Sequence, residues 1–262
     1  MTWTTRPRSD GTHLPAIRAG RGPSVVLLHG VGLRAEAWGA QIDDLSRDFD
    51  VTAYDMPGHG AAPRRDAVPS LRDYTEALAP NLTAPALIVG HSMGAMIALD
   101  LAVLYPEVVT GVVAMNAVFQ RTPEAARAVK QRAAALDGAR VADPAKTLTR
   151  WFGDAATPEA TACRSWLQAV DPAGYRDAYT VFAHADGPDP ADLRALRAPA
   201  LFLTGAEDPN STPAMSRAMA DAARDARAEV VDGAAHMLPM THAGCVNRTL
   251  RAFFQTCLAK GA

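Results

Sequence analysis

The sequence predicts an α/β domain built on a mostly parallel β-sheet, and three observations lead to it. Apolar runs of strand character recur along the chain with stretches of helical periodicity between them. The runs are continuous Val, Leu and Ile segments rather than alternating ones, as strands covered on both faces require. The chain has 262 residues, 48% of them hydrophobic and a formal charge of −2, enough for one globular body with a large core.

The elements follow in order. "LPAIRAG", behind the Asp10-Gly11 turn signal, reads as part of an antiparallel N-terminal hairpin. "SVVLLHG" and "DVTAYDMPG" read as buried strands. Between them Trp38, Ile42, Leu45 and Phe49 recur at three- to four-residue steps, which puts one apolar stripe on a helix. "SLRDYTEALAP" opens on a capping serine, Ser70, and stops at Pro80, so a short helix fits. "PALIVGHS" is a strand, residues 93–105 a helix ended by Pro106, and "VVTGVVAMNA" a further strand. From about residue 118 to 195 the strand signals vanish. Helical stretches over 123–136, 144–152, 158–170 and 174–183 replace them. Three of these begin with Pro behind Thr122, Asp143 and Thr157, residue types that cap well. The sheet resumes at "APALFLTG", followed by a helix near 212–223, the strand "AEVVDG" and a last helix over about 243–258.

Several function classes are excluded at this level. No block of Lys or Arg interleaves with aromatics, so no nucleic-acid partner is expected. No stretch approaches the ~18 apolar residues of a membrane span, and no apolar run follows the basic N-terminus, so no membrane association and a cytoplasmic protein are expected. Cys163, Cys245 and Cys257 are widely spaced and lack a C-x-x-C pair, which suggests reduced thiols and neither disulfides nor a zinc site.

The chemistry concentrates in Gly90-His91-Ser92-Met93-Gly94, a G-x-S-x-G where a strand ends and a helix begins. In so tight a turn the serine backbone is strained, and glycines two positions before and after it remove side chains that would collide with strand and helix. The turn lifts the Ser92 hydroxyl clear of the sheet. A serine hydroxyl needs a base within hydrogen-bond reach and a group orienting that base. Downstream, "LFLTGAEDP" offers Asp208 just past one strand and "VVDGAAHML" offers His236 just past the next, with Glu207 and Asp232 as competing acids. Both strand ends are where open α/β sheets collect functional residues. Asn116, after the strand that follows the elbow helix, cannot supply the charge. The oxyanion donors expected are the N–H of Met93, at a helix N-terminus, and the N–H of Val31 in "HGVG".

"HGVG", "DMPGHG", "GHSMG", "GAEDP" and "AAHM", in this order and spacing, resemble the α/β-hydrolase superfamily over nearly the whole chain. The resemblance implies an α/β-hydrolase fold, with a mostly parallel eight-stranded sheet flanked by helices. Residues 1–117 and 196–262 would form its core domain and 118–195 a helical cap. It implies Ser92 as nucleophile, His236 as base, Asp208 as orienting acid, and Val31 with Met93 as oxyanion donors. "AVDPAGYRDAYTVFAHAD" with "LRALRAPALFLTGAEDP" is similar to 3-oxoadipate enol-lactonases and other small carboxylic-ester hydrolases. The expected reaction is hydrolysis of a small ester or lactone through an acyl-enzyme, with no metal or organic cofactor, in a monomer or homodimer. Ser92 argues against epoxide and carbon–halogen hydrolysis, which use Asp at the elbow.

Other activities of the same triad stay open: C–C bond hydrolysis, cofactor-free perhydrolase or haloperoxidase chemistry, and a non-catalytic small-ligand receptor. A C–C hydrolase would be expected to place a cationic or amide group near its pocket for the substrate acid, for which Arg127, Arg150 and Arg164 are available. Trp151, Phe152, Trp166, Tyr179 and Phe182 are candidate pocket residues against a packing alternative, Met93 a residue bordering the site, and Met96 core. His29, His59 and His91 read as motif scaffolding.

Overall fold

The computed structural model describes residues 3–9 and 13–261. Seven strands form one sheet: β1 (Ala16–Ala19), β2 (Ser24–Leu28), β3 (Asp50–Tyr54), β4 (Ala86–His91), β5 (Val109–Met115), β6 (Ala200–Gly205) and β7 (Ala226–Val231). They lie in the order β1-β3-β2-β4-β5-β6-β7. Only β1 runs antiparallel, against β3, with Ala16 opposite Tyr54 and Ala19 opposite Val51. All other neighbours are parallel.

Eleven α-helices are described: α1 (Gly39–Leu45), α2 (Leu71–Leu78), α3 (Met93–Leu104), α4 (Pro123–Ala134), α5 (Ala145–Phe152), α6 (Pro158–Ala169), α7 (Pro172–His184), α8 (Pro190–Ala195), α9 (Pro213–Ala222), α10 (Leu238–Thr241) and α11 (Ala243–Gly261). Side chains from α2, α3, α8 and α9 build the core on one face of the sheet. Those of α1 and α11 build it on the other. This double cover explains why β4 and β6 are buried at every position and apolar throughout most of their length. Ser70 caps α2 in a reciprocal box with Asp73. No helix among the described residues is long and apolar enough to cross a membrane.

The expected eighth strand is a correction. The Asp10-Gly11 turn lies outside the described residues, and the segment before it, residues 3–9, is not a strand. Its side chains are engaged elsewhere. Arg8 grips the buried carboxylates of Glu36 and Asp55, with Nη1 2.8 Å from Glu36 Oε1 and Nε 2.7 Å from Asp55 Oδ2. Burial alone pushes Glu36 up, but the Arg8 hydrogen bonds, the Arg6 N–H and the charges of Arg8 and Arg34 outweigh it and hold the carboxyl down at about 2.

Between β5 and β6 the chain is helical. Thr122, Thr157, Asp171 and Asp189 cap α4, α6, α7 and α8, each with Pro in the first turn. Here α4 packs on α7 and α5 on α6, whereas α8, which the sequence assigns to the insertion, packs on α3 and α9. The insertion approaches the sheet domain closely at Gly174, where a Cβ would stand 2.5 Å from Gly58 O. Arg64 Nε also donates to Asp177 Oδ2 at 2.5 Å. The cysteines are free, Cys163 and Cys257 buried and Cys245 half-buried.

Candidate active site

Ser92 joins β4 to α3 with φ 57° and ψ −118°. A non-glycine residue in the left-handed region costs roughly 1–2 kcal/mol, so the surrounding contacts must impose it. They are backbone contacts. A Cβ on Gly90 would sit 2.0 Å from Gly94 O, and one on Gly94 2.2 Å from Leu28 O. The Ser92 N–H is tied to Met115 O at 2.8 Å. With β4 and α3 this close, only the strained turn connects them.

The loops after β6 and β7 are laced together before they deliver their side chains. Ala206 N–H donates to Val231 O and Glu207 N–H to Ala234 O, both at 2.9 Å. Gly205 belongs to this close approach, since a Cβ there would lie 2.2 Å from Ala234 O. The result brings Asp208 Oδ2 to 2.8 Å from His236 Nδ1. The same oxygen accepts from Asn116 Nδ2 at 2.8 Å, and Oδ1 accepts from the N–H groups of Asn210 (2.9 Å) and Ser211 (3.1 Å). Burial alone raises the Asp208 carboxyl, but the His236 imidazole and the two backbone donors outweigh it and hold it down at about 2. Glu207 is exposed, and among the described residues no hydrogen bond joins Asp232 to His236.

Asn116 is thus a site residue that sequence reasoning sets aside for lacking a charge. Its φ of 49° at the end of β5 turns the amide toward Asp208. The signal available is only its position at a strand's carboxyl end.

Two further histidines hold backbone in place. His91 Nε2 donates to the carbonyl of His236 at 2.8 Å. Complete burial and the charge of His236 lower its pKa to about 3, so the ring stays neutral with the proton on Nε2. His29 Nε2 accepts the Met56 N–H at 3.0 Å, which leaves Nδ1 to donate to Gly30 O at 2.8 Å. Through that bond His29 shapes the loop carrying Val31. The N–H groups of Val31 and Met93 have no backbone acceptor among the described residues. The Met93 side chain packs into the core and does not border the cavity, which corrects the sequence expectation; Met96 is core as expected.

Ser92 and His236 open on one cavity of about 410 Å³, between the sheet's carboxyl edge and the helical insertion. With Nδ1 of His236 engaged by Asp208, Nε2 is its free nitrogen. Among the described residues no hydrogen bond yet joins it to Ser92 Oγ. The ring lies between Trp151, stacked at 5.8 Å between centroids, and His91 at 5.0 Å.

Trp151, Tyr179 and Phe182 line the cavity, whereas Trp166 does not. Trp166 is only 8% exposed and is packed with Leu33, Leu148, Cys163, Leu167, Met237 and Met240, so its ring is consumed in docking α6. Phe152 flanks that same cluster. Of the arginines considered from sequence, Arg150 lines the cavity while Arg127 pairs with Glu124 at the surface and Arg164 is exposed. Arg121 and Arg132, which sequence reasoning misses, line it as well. Among the described residues no three His, Cys, Asp or Glu side chains group as a metal-ligand set.

Comparison with known proteins agrees with this architecture. The alpha/beta hydrolase family model matches residues 25–246. The (E)-2-((N-methylformamido)methylene)succinate hydrolase of Acinetobacter baylyi is 37% identical over 243 residues, spanning 90% of this chain and 92% of its own. The pimeloyl-[acyl-carrier protein] methyl ester esterase of Aromatoleum aromaticum is 30% identical over 237 residues, spanning 84% and 93%. Among solved structures, a malate-bound thermophilic esterase from Thermogutta terrifontis superposes with a TM-score of 0.83 at 25% identity, covering 93% of each chain. The family match embraces Ser92, Asp208 and His236, and the relatives match over most of their length. This chain belongs to the alpha/beta hydrolase family and is a hydrolase.

Proposed function

We propose that the chain is a serine hydrolase that transfers the acyl group of a small carboxylic ester or lactone to water. The observation that carries this reading is the 2.8 Å contact between Asp208 Oδ2 and His236 Nδ1, on a ring that lines the same cavity as the strained Ser92. Asp208 keeps the Nδ1 proton in place, so Nε2 presents its lone pair toward the cavity. Ser92 Oγ attacks the substrate carbonyl as Nε2 takes the hydroxyl proton. The carbonyl oxygen, now negative, is stabilised by the N–H groups of Val31 and Met93. The C–O bond to the leaving group breaks, and His236 returns the proton to the departing oxygen. Water, deprotonated by the same nitrogen, then attacks the acyl-Ser92 ester, and the acid product leaves with Ser92 regenerated.

The Aromatoleum aromaticum relative, a methyl ester esterase, supports the ester as the bond cleaved. The Acinetobacter baylyi relative supports a small soluble substrate. A cavity near the lower end of the usual range of about 300–1,000 Å³ supports the same size.

The test is a panel of aliphatic esters and lactones, together with p-nitrophenyl acetate, turned over by wild type and Ser92→Ala. Wild-type turnover that falls by at least about 10³-fold in the variant is expected. Equal rates in the two proteins would remove the nucleophile and with it the reading, leaving a ligand receptor of this fold.

A further inference from the structure

The cavity is one-sided in charge. Arg121, Arg132 and Arg150 line it, and among the described residues no Asp or Glu does. The three guanidinium groups differ in what they touch. Arg121 has a side chain only 5% exposed: it donates to the carbonyls of Ala185 (2.7 Å) and Phe182 (3.2 Å), lies 4.6 Å over the Phe182 ring, and has Asp186 at 3.4 Å. It is built into the wall. Arg132 and Arg150 have only neutral partners, Tyr179 Oη for Nε of the first and Thr147 Oγ1 for Nη2 of the second, each at 3.0 Å. Among the described residues neither forms an ion pair with a carboxylate. Other arginines of the insertion do: Arg127 with Glu124, Arg140 with Asp137 and Arg176 with Asp177. Both cations line the cavity onto which Ser92 and His236 open, Arg150 half-buried and Arg132 exposed at its rim.

Cations that line one cavity without counter-charge repel one another, and a bound anion relieves that repulsion. The guanidinium fork matches a carboxylate with two parallel N–H···O bonds. We propose that Arg132 and Arg150 bind a carboxylate carried by the substrate, so that the enzyme acts on half-esters of short dicarboxylic acids in preference to neutral esters of equal length. The inference deepens the serine-hydrolase reading and rests on it for the position of the scissile bond. The neutral hydroxyls of Thr147 and Tyr179 keep the two forks oriented without neutralising them. The carboxylate then sits on the insertion side while the ester carbonyl meets Ser92 on the sheet side.

Monomethyl succinate and methyl butyrate make the comparison, because they share the acyl-chain length and differ in charge. Wild type is expected to favour the succinate half-ester at least tenfold in kcat/KM. Arg132→Gln and Arg150→Gln should each cut that preference at least fivefold, mainly through KM, with Arg150→Lys restoring part of it and the surface variant Arg140→Gln keeping it whole. Calorimetric titration of succinate into Ser92→Ala gives a second readout independent of turnover, and it should lose binding when both arginines are replaced. Ser92-dependent hydrolysis with no preference for the half-ester and no succinate binding overturns the carboxylate site and leaves the hydrolase standing. Succinate binding that requires both arginines, without Ser92-dependent turnover, does the reverse. A preference unchanged in the double variant, with circular dichroism confirming its fold, also overturns the proposal.

Discussion

Replacing Asp208 by Asn keeps the side chain's shape and changes one acceptor into a donor, and the hydrogen bonds around it dictate the result. Oδ1 faces the N–H groups of Asn210 and Ser211, which cannot turn away, so the oxygen of the introduced amide must stay there. The amide NH₂ then occupies the place of Oδ2, against His236 Nδ1 and Asn116 Nδ2. Asn116 can answer by flipping, because its own Oδ1 has no partner. His236 can answer only by moving its proton from Nδ1 to Nε2. The ring then offers Ser92 a donor where a base is needed.

The expected loss is about 10⁴-fold in kcat with KM little changed, the size found for a wrong-tautomer triad in a serine protease. Progress curves on a chromogenic ester supply the rates, and the nitrogen shifts of the ring in NMR report the tautomer. Stability makes a separate demand. The Asp208 carboxyl lies lower in the folded protein, at about 2, than its ordinary 3.8, so its contribution is fully present above that ordinary value and is lost as pH falls through the folded one. The shift corresponds to about 2 kcal/mol. Denaturant titrations between pH 5 and pH 2 should therefore show a fall in wild-type stability that is smaller by about this amount in Asp208→Asn. Retention of a tenth or more of wild-type kcat would refute the argument and pass the orienting role to another acid.

Arg8→Met removes the ion pair of buried Asp55 and leaves buried Glu36 with Arg34 alone, which costs about 3–5 kcal/mol and lowers the melting temperature by roughly 10 °C; a second change, Glu36→Gln, should recover part of it in the same melt. Gly94→Ala drives a methyl into Leu28 O, so β2 and α3 must part, and a loss of about 1–3 kcal/mol in urea unfolding should accompany an activity drop larger than that of a surface Gly→Ala. Trp151→Ala removes the ring stacked on His236; an aromatic contact worth about 0.5–1.5 kcal/mol predicts a fall of up to about tenfold in kcat/KM for neutral and charged esters alike.

What is legible in the sequence is set by local physics. Ser92 stands out because its turn tolerates only glycine at positions 90 and 94, and the clashes at 2.0 and 2.2 Å are the steric reason. The buried strands are visible because both their faces are covered. Asp-Pro and Thr-Pro pairs announce helix starts, although the pairs at Asp171 and Asp189 carry no weight in the sequence expectation, which starts α7 late and omits α8. The failures share a different cause. Trp151 and Trp166 sit on neighbouring helices of similar composition, and only the way α5 and α6 dock decides that one faces His236 and the other Leu33. Arg121 and Arg132 escape sequence reasoning for the same reason. The eighth strand is expected by analogy, but Arg8 ties the N-terminal segment to Glu36 and Asp55 instead.

The site therefore combines two kinds of constraint. Ser92, Asp208, His236 and the Val31 loop are held at the sheet's carboxyl edge by main-chain contacts, Met115 O on the Ser92 N–H and Val231 O and Ala234 O on the Asp208 loop, and by buried side chains, His29 on Gly30 O, His91 on His236 O and Asn116 on Asp208. The cavity's far wall comes from the insertion, through Trp151, Tyr175, Tyr179 and the arginines, and side chains supply it. That wall is fastened to the sheet domain by the Gly58–Gly174 approach and by the packing of Leu167 and Tyr175 over Gly32, one residue from Val31.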